Sequence, residues 1–379
     1  MERTEPGIAA ASKGVNFERE VYCLLGLPID ALDMEGAVQR VRQAAFSNTR
    51  CFVSTVNVNF AMAARGDAAF RDSVLHSDLC LPDGMPLVWV ARLLGLPIRE
   101  RVSGAGLFER LLQQPGPPIS IFFFGGPQGA AQAACRRVNE ATCGLRCVGF
   151  DSPGFGSVEE MSGVDRIERI NRSGAQFITV ALGAKKGQAW IEHNRARLQA
   201  PVLCHLGAVV NYAAGTVRRA PTWVQALGAE WLWRSKQEPA LWRRYWDDGA
   251  SFLQVLLREV APLAMQRRLR LAAATAQETA RFTVHETPQR TLLKLRGAWV
   301  DTDLDPLRQA LTIAQQRATN LALGLAGVSH VDSGFIALVM LARGGQARPG
   351  RLLVGGATPE VTNIFRRNGA VFLLKQDSE

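Results

Sequence analysis

The stretch SDLCLPDGMPLVWVARLLG, residues 77–95, carries one carboxylate, Asp83, in a Pro-Asp-Gly turn that follows an apolar run. The residues after the turn predict an apolar helix that begins near Met85. An aspartate at this place either caps that helix or works as a general base. Capping is the expected role for an isolated Pro-Asp-Gly, so the neighbouring loops must decide between the two.

Several apolar runs rich in Val, Ile and Phe alternate with helical patterns in the first half of the chain. Continuous apolar runs separated by helices predict an α/β fold, a mostly parallel sheet with helices on both faces. Ligands bind beyond the carboxyl ends of such strands, where we expect the loops to face one cleft. These loops read STVNVN (54–59), PDG (82–84), FGGPQG (124–129), LGAKKGQ (182–188) and LGAVVN (206–211).

Other site motifs are weaker. The chain contains neither G-x-G-x-x-G nor G-x-x-x-x-G-K-[ST], which argues against standard dinucleotide and P-loop sites. The run DTDLD at 301–305 resembles a metal-binding D-x-D, but Pro306 follows it, so helix capping is favoured. The five histidines are scattered, and we expect neither a zinc site nor any other metal.

Composition limits the function classes. With 379 residues, 47% of them hydrophobic and 21% charged, the chain predicts about two folded units. Its net charge of +10 favours an anionic partner, either nucleic acid, a lipid headgroup surface or a phosphorylated substrate. The seven cysteines form no Cys-x-x-Cys pair, and we expect reduced, buried thiols and a cytoplasmic protein without a membrane span or a secretory signal.

Changes in composition and hydrophobic pattern along the chain predict four segments. They are a disordered tail (1–20), an α/β core (21–215), a Trp- and Arg-rich appendage with a helical connector (216–280), and a second, smaller α/β domain (281–379). The smaller domain is expected to end on a strand, VFLL at 371–374.

The blocks TVNVNF, FRDSVLHSDLCLPDGMPLVWVARLLG and RVSGAGLFERLL closely resemble the amino-terminal half of the WecG/TagA/CpsF glycosyltransferases, glycosyltransferase family 26. Three later blocks resemble later blocks of the family in the same order, namely IFFFGGPQGAA, CHLGAVVNYAAGTVRRAPTWVQALGAEWLWR and EPALWRRYW. The resemblance covers about residues 22–258. It implies an inverting, metal-independent transfer of a sugar from a UDP-sugar to a polyprenyl-diphosphate-linked acceptor in cell-surface glycan synthesis, at the inner face of a bacterial membrane.

The same resemblance implies residue roles. Asp83 would be the general base, which takes the proton of the acceptor hydroxyl. Thr55 and Asn57 lie in the family's T-x-N block near the donor, and Arg101 would lie near the donor diphosphate. The remaining donor-binding candidates are Gly125, Gly126, Gly183, Lys186, Gln188, Gly207 and Asn211.

Two departures from the family pattern concern the donor. The usual P-K-Q-E is replaced by Lys185, Lys186, Gly187 and Gln188, and the acid after R-V-x-G is replaced by Gly106. The donor sugar therefore stays open between an N-acetylhexosamine, its uronate and glucose. A non-catalytic signalling protein that binds a nucleotide sugar is the alternative function.

The Trp- and Arg-rich segment after Pro221 allows three interpretations. They are packing of an amphipathic helix, binding of single-stranded nucleic acid, and docking on a membrane surface. No nucleic-acid-binding module surrounds the segment, and the resemblance selects membrane docking combined with active-site arginines. The candidates for the acceptor diphosphate are Arg218, Arg219, Arg234, Arg243 and Arg244.

The last domain resembles a STAS domain through LAGVSHVDSGFIALVML and RLLVGGATPEVTNIFRRNGAVFLL. Signalling members carry a phosphorylated serine at the start of a helix. Ser333 is therefore either a phosphosite or a helix N-cap, and the N-cap with a protein-docking role is favoured. A protein partner is implied for this domain, and a homo-oligomer is left open.

Overall fold

The structure is a computed structural model that describes residues 14–141, 143–217, 219–221, 223–224, 228, 230–237, 241–273, 278–317, 320–345 and 352–374, without the side chains of residues 234, 237, 241, 244 and 270–273. The first element is a hairpin of β1 (Val21–Leu24) and β2 (Leu27–Asp30), in which Val21 pairs with Asp30. Its two turn residues, Leu25 and Gly26, both have positive φ. This is the geometry that tight hairpin turns require.

The main sheet has six strands, all parallel, in the order β4-β3-β8-β7-β5-β6. Except in the edge strand β6, nearly every residue in these strands is buried, which explains why the sequence shows continuous apolar runs instead of alternation. The predicted α/β class is confirmed. The strands are β3 (Cys51–Val56), β4 (Leu79–Pro82), β5 (Ile119–Gly125), β6 (Leu145–Asp151), β7 (Phe177–Ala181) and β8 (Val202–His205).

Helices cover both faces of this sheet. On β5, Phe122 and Phe124 pack with Trp190 on one face, whereas Phe123 packs with Phe108 on the other. Alternate residues thus fill two apolar layers. The helices of the core are α1 (Met34–Phe46), α2 (Val58–Gly66), α3 (Ala68–Leu75), α4 (Met85–Leu93), α5 (Gly104–Gln113), α6 (Ala130–Ala141), α7 (Val164–Arg172), α8 (Ala184–Asn194) and α9 (Val209–Ala214).

The appendage is helical. It contains helices Glu230–Gln237 and Leu241–Val255, a π-helical turn Leu256–Val260, and helix Ala261–Ala273. Val255 and Val260 are buried in one apolar cluster with Phe60 of α2, so this segment packs on the core.

The carboxyl-terminal domain has a second sheet of four strands in the order β12-β11-β10-β9. β9 runs antiparallel to β10, and the other pairs are parallel. The strands are β9 (Arg281–Thr287), β10 (Arg290–Trp299), β11 (Asn320–Val331) and β12 (Leu352–Gly355), with helices Asp305–Gln316, Ser333–Gly344 and Pro359–Arg367.

Three expectations differ from the structure. The last predicted strand is a 3-10 turn, Val371–Leu373, whose Leu373 fills the core, and a short apolar run cannot distinguish the two. Residues 1–13 of the predicted tail lie outside the described residues, but Phe17 and Arg19 are buried. Cys143 is exposed, and a disulfide joins Cys135 of α6 to Cys147 of β6, so the expectation of seven reduced, buried thiols is wrong.

Candidate active site

Asp83 stands directly after β4, at the carboxyl end of the main sheet. Its amide donates to the carbonyl of Val56 at 2.7 Å, and its Oδ2 accepts from the amide of Gly104 at 3.2 Å. The N-cap of α4 is Gly84, with no side-chain hydrogen bond. The capping role considered for Asp83 is therefore wrong, and its carboxylate points to the amino end of α5.

Thr55, at the end of β3, packs against that same amino end. A Cβ on Gly104 would lie 3.3 Å from both Oγ1 and Cγ2 of Thr55 and 2.5 Å from the side chain of Leu206. A larger residue there would have to displace Leu206 and press on Thr55, so Gly104 brings the α5 backbone close to Asp83 and Thr55. Asn57 lies beside them as the N-cap of α2, and its Oδ1 accepts from the amide of Phe60 at 3.1 Å.

Two guanidinium groups converge at this helix end. Ser103 caps α5, and the Nη2 atoms of Arg101 and Arg219 each lie 3.4 Å from its Oγ. Arg101 also pairs with Glu230 of the appendage at 2.8 Å, and Arg219 pairs with Glu109. Within the part of the chain that the structure describes, the buried Nε of Arg219 has no hydrogen-bond partner.

The arrangement combines one carboxylate, one helix amino terminus and two arginines. A helix amino terminus and guanidinium groups bind phosphate oxygens through charge-assisted hydrogen bonds. A carboxylate beside them can accept a proton from a hydroxyl group. The geometry thus suits a phosphorylated ligand and a nucleophilic hydroxyl at the same place.

The loop glycines have structural reasons of their own. Gly125, Gly126 and Gly183 all have positive φ, and a Cβ on Gly125 would lie 2.7 Å from the carbonyl oxygen of Ala181. Gly125 lets the ends of β5 and β7 approach each other closely, whereas a Cβ on Gly126 would lie 3.0 Å from Val210 and one on Gly183 would have nothing within 4 Å. A Cβ on Gly207 would lie 3.3 Å from Nε2 of His205.

Lys186 and Gln188 are not beside Asp83. Lys186 is exposed, and its Nζ donates to the carbonyl of Gly156 at 2.9 Å. Gln188 is fully buried, and its Nε2 donates to Ser54 Oγ at 2.5 Å. Because Ser54 and Thr55 are adjacent in a strand, their side chains point to opposite faces of the sheet.

Two donor-binding candidates, and the histidine that ends β8, have a buried atom without a partner among the described residues. They are Gln188 of α8, through Oε1, Asn211 of α9, through Oδ1, and His205, through Nε2. His205 is one of the five scattered histidines, and it is buried. The His205 ring fills the space beside Gly187, because a Cβ on Gly187 would lie 2.2 Å from its Cδ2. The departure from the family pattern at position 187 is therefore the feature of the sequence that could have pointed to His205. Burial lowers the pKa of His205 to about 4, so its imidazole is neutral at pH 7.

Of the five appendage arginines, Arg219 is the one that the described residues place at the site. Arg218 lies outside those residues, as do the side chains of Arg234 and Arg244, and Arg243 is exposed on helix Leu241–Val255. Four tryptophans of the appendage are exposed by 42–69%, namely Trp223, Trp231, Trp242 and Trp246. We call these four residues the tryptophan surface.

The helix capping favoured for the DTDLD run is wrong. The helix that follows has Leu304 at its N-cap with no side-chain bond, and Asp301 accepts from the hydroxyl of Tyr22 at 2.6 Å instead. Within the described residues, no group of three or more His, Cys, Asp or Glu could hold a metal ion.

Ser333 is not the N-cap of its helix. Asp332 takes that position, and its Oδ1 accepts from the amide of Phe335 at 2.9 Å. Burial raises the pKa of Asp332. The hydroxyl of Ser333 donates instead to the carbonyl of Cys23 in β1, at 2.8 Å.

Among the described residues, no helix is both long and apolar enough to cross a bilayer. Residues 22–266 match the family model described as Glycosyl transferase WecG/TagA/CpsF family, and residues 282–371 match that of Mlab, STAS domain. One relative is an N-acetylglucosaminyldiphosphoundecaprenol N-acetyl-beta-D-mannosaminyltransferase of Bacillus spizizenii, 28% identical over 52% of this chain and 75% of the relative. A Bacillus subtilis protein of the same description is 27% identical over 55% of this chain and 79% of its own length.

Proposed function

Because this chain belongs to the WecG/TagA/CpsF glycosyl transferase family and carries a STAS domain at residues 282–371, we propose that it transfers a sugar from a UDP-sugar to a polyprenyl-diphosphate-linked acceptor. The observation that carries the proposal is the Asp83 carboxylate, hydrogen-bonded at the amino end of α5, where Arg101 and Arg219 converge on Ser103. The acceptor class is supported by the names of the two Bacillus relatives.

In the proposed reaction, Asp83 accepts the proton of the acceptor hydroxyl while that oxygen forms a bond to the anomeric carbon. The bond from that carbon to the UDP oxygen breaks, and UDP leaves from the opposite side, so the configuration inverts. Negative charge grows on the departing diphosphate. Arg101, Arg219 and the amides that open α5 stabilise that charge where it develops.

The tryptophan surface would hold the enzyme at the membrane where the lipid-linked acceptor lies. Tryptophan favours the headgroup boundary, and the net charge of +10 favours anionic lipid. The Arg101–Glu230 ion pair ties the appendage to the site. Membrane attachment and assembly of the diphosphate site would therefore depend on the same segment.

The donor sugar remains an N-acetylhexosamine, its uronate or glucose. The relatives are named for N-acetylmannosamine transfer, but this chain has Gly187 and Gln188 in place of the family's Gln and Glu. His205 fills the space beside Gly187 with a neutral imidazole. A donor contact that relatives make from this loop would differ here.

The test is a transfer assay. The purified chain is incubated in liposomes with undecaprenyl diphosphate-linked N-acetylglucosamine and a panel of UDP-sugars, and the lipid product is identified by mass spectrometry. A lipid disaccharide from one donor, strongly reduced in Asp83→Asn, supports the proposal. Binding of a UDP-sugar without UDP release from any donor would instead favour the non-catalytic signalling function.

A further inference from the structure

The STAS domain and the transferase core share one continuous apolar cluster. Phe17, Val21 and Cys23 near the amino terminus, with Leu75 of α3, are buried among residues of the STAS domain such as Phe335. The packing is close: a Cβ on Gly344 would lie 2.1 Å from the carbonyl oxygen of Leu75. The two parts are therefore packed as one core.

Polar contacts fix the hairpin β1–β2 on the STAS domain, and one of them comes from the first residue of helix Ser333–Gly344. Ser333 donates to the carbonyl of Cys23 at 2.8 Å, and Tyr22 donates to Asp301 at 2.6 Å. The thiol of Cys23 contacts the carbonyl of Asn368 at 3.5 Å. The amino end of this helix, where a signalling serine would be read by a partner, is thus occupied by the transferase core of the same chain.

The other side of the hairpin covers the free edge of β4, the strand that leads to Asp83. β4 is the outermost strand of the main sheet, and β2 lies beside it. Oδ2 of Asp30, the last residue of β2, accepts from the amide of Cys80 in β4 at 2.6 Å. An edge amide that would otherwise be without a ladder partner is satisfied by this carboxylate.

Asp30 is itself held by Arg19. The guanidinium of Arg19 donates to both carboxylate oxygens, at 3.0 and 2.6 Å, and to the carbonyl of Ser77 at 3.0 Å. Both side chains of this pair are buried, with 7% and 4% exposure. A buried ion pair with two hydrogen bonds fixes the positions of Arg19 and Asp30, and loss of either partner leaves the charge of the other uncompensated.

Arg308 of the STAS domain holds Arg19 in turn. The Arg308 side chain is buried, and its Nη1 donates to the carbonyl of Arg19 at 2.9 Å and to that of Phe17. A continuous series of buried hydrogen bonds thus runs from Arg308 through Arg19 and Asp30 to the amide of Cys80. Three residues further along the chain is Asp83.

We infer that the STAS domain positions the catalytic strand, and that Arg308, Arg19 and Asp30 are the positioning residues. The inference rests on the proposed role of Asp83 as general base. Small displacements of a reacting group lower turnover strongly, while donor binding, which depends on other loops, is retained. Loss of the Arg308 contacts should therefore lower kcat and leave KM for the donor unchanged.

The experiment compares three full-length variants. Arg308→Met removes both carbonyl contacts, and Arg308→Lys keeps a donor for them. Arg343→Met is the matched control, because Arg343 lies in the same interface, 3.7 Å from Asp72, but outside the series that reaches Cys80. We expect Arg308→Met to lower kcat by about 10-fold or more, with Arg308→Lys and Arg343→Met staying within about threefold of wild type.

Hydrogen exchange of the amides in residues 79–83 gives a measurement that needs no activity. We expect this segment to exchange about 10-fold faster in Arg308→Met and at the wild-type rate in Arg343→Met. Equal exchange in both variants and wild type, or equal acceleration in both, would overturn the inference. If wild type transfers no sugar, the proposed function fails, and the exchange result still decides whether Arg308 positions β4.

Asp30→Ala provides a second variant in case Arg308→Met does not fold. Alanine removes both carboxylate oxygens, and with them the contacts to Arg19 Nε, to Arg19 Nη2 and to the amide of Cys80. Faster exchange at Cys80 with an intact STAS core supports the series. Unchanged exchange at Cys80 contradicts it.

Discussion

Acid should destabilise this protein through one histidine. His205 is buried at the end of β8, and burial lowers its pKa from 6.5 to about 4. As the pH falls, His205 is therefore protonated near pH 6.5 in the unfolded chain but only near pH 4 in the folded chain. The contribution of His205 to the free energy of unfolding is fully present above pH 6.5 and is lost as the pH falls towards 4.

The shift sets the size of the effect. One pKa unit corresponds to about 1.4 kcal/mol, so the whole shift is worth on the order of 3 kcal/mol, of which about 2 kcal/mol is lost by pH 5. Asp78 and Asp332 act in the opposite direction, because burial raises their pKa values and the folded state then gains protons on acidification. The contribution of His205 must therefore be measured as a difference from a variant.

Urea unfolding followed by circular dichroism at pH 7.5, 6, 5 and 4.5 measures that difference. In His205→Gln, the free energy of unfolding should fall less between pH 7.5 and 5 than in wild type, by about 2 kcal/mol. His193→Gln is the matched control, because it makes the same substitution at an exposed histidine. Parallel curves for wild type and His205→Gln would refute the reasoning.

The remaining predictions concern the proposed activity. Asp83→Asn should lower turnover by about 100-fold or more, while UDP-sugar binding measured by calorimetry stays near wild type, and near-normal turnover would remove Asp83 from the mechanism. EDTA should leave transfer intact, because Arg101 and Arg219 can stabilise the leaving diphosphate, whereas loss that Mg²⁺ or Mn²⁺ restores would show that a metal is needed. The double variant Trp242→Gln/Trp246→Gln should bind anionic liposomes more weakly in a cosedimentation assay. The control Phe155→Gln should not, because it changes a fully exposed aromatic residue of the transferase domain outside the tryptophan surface. Equal liposome binding by all three proteins would assign the tryptophan surface to another partner.

Much of the fold could be predicted because the main sheet is buried on both faces. Its strands read as continuous apolar runs, and the carboxyl ends of β3 and β4 bring Thr55 and Asp83 to one edge of the sheet. The directions in which the side chains point were harder to predict from the sequence. Gln188 follows the same loop pattern but points to the opposite face, because helix α8 buries it against Ser54.

Contacts between distant segments left no pattern in the sequence. Asp332 and Ser333 are both good N-cap residues, and only the fold decides that Asp332 caps while Ser333 reaches β1. Cys135 and Cys147 meet because α6 packs beside β6. The hairpin at residues 21–30 reads as an ordinary pair of strands, and its role between two domains depends on Arg308, far along the chain.

The shared core also imposes an order of events during synthesis. Cys23 and Ser333 are 310 residues apart, so the hairpin leaves the ribosome long before the helix that covers it. At about 5–20 residues per second, that delay is roughly 15–60 s. Until then, Val21, Cys23 and Leu75 have no STAS partner, and the outer edge of β4 is covered by a hairpin with an open apolar side. The transferase part should therefore reach its final form only after the last domain has been made, and a ribosome that stalls before residue 333 would leave a nascent chain prone to aggregation or in need of a chaperone.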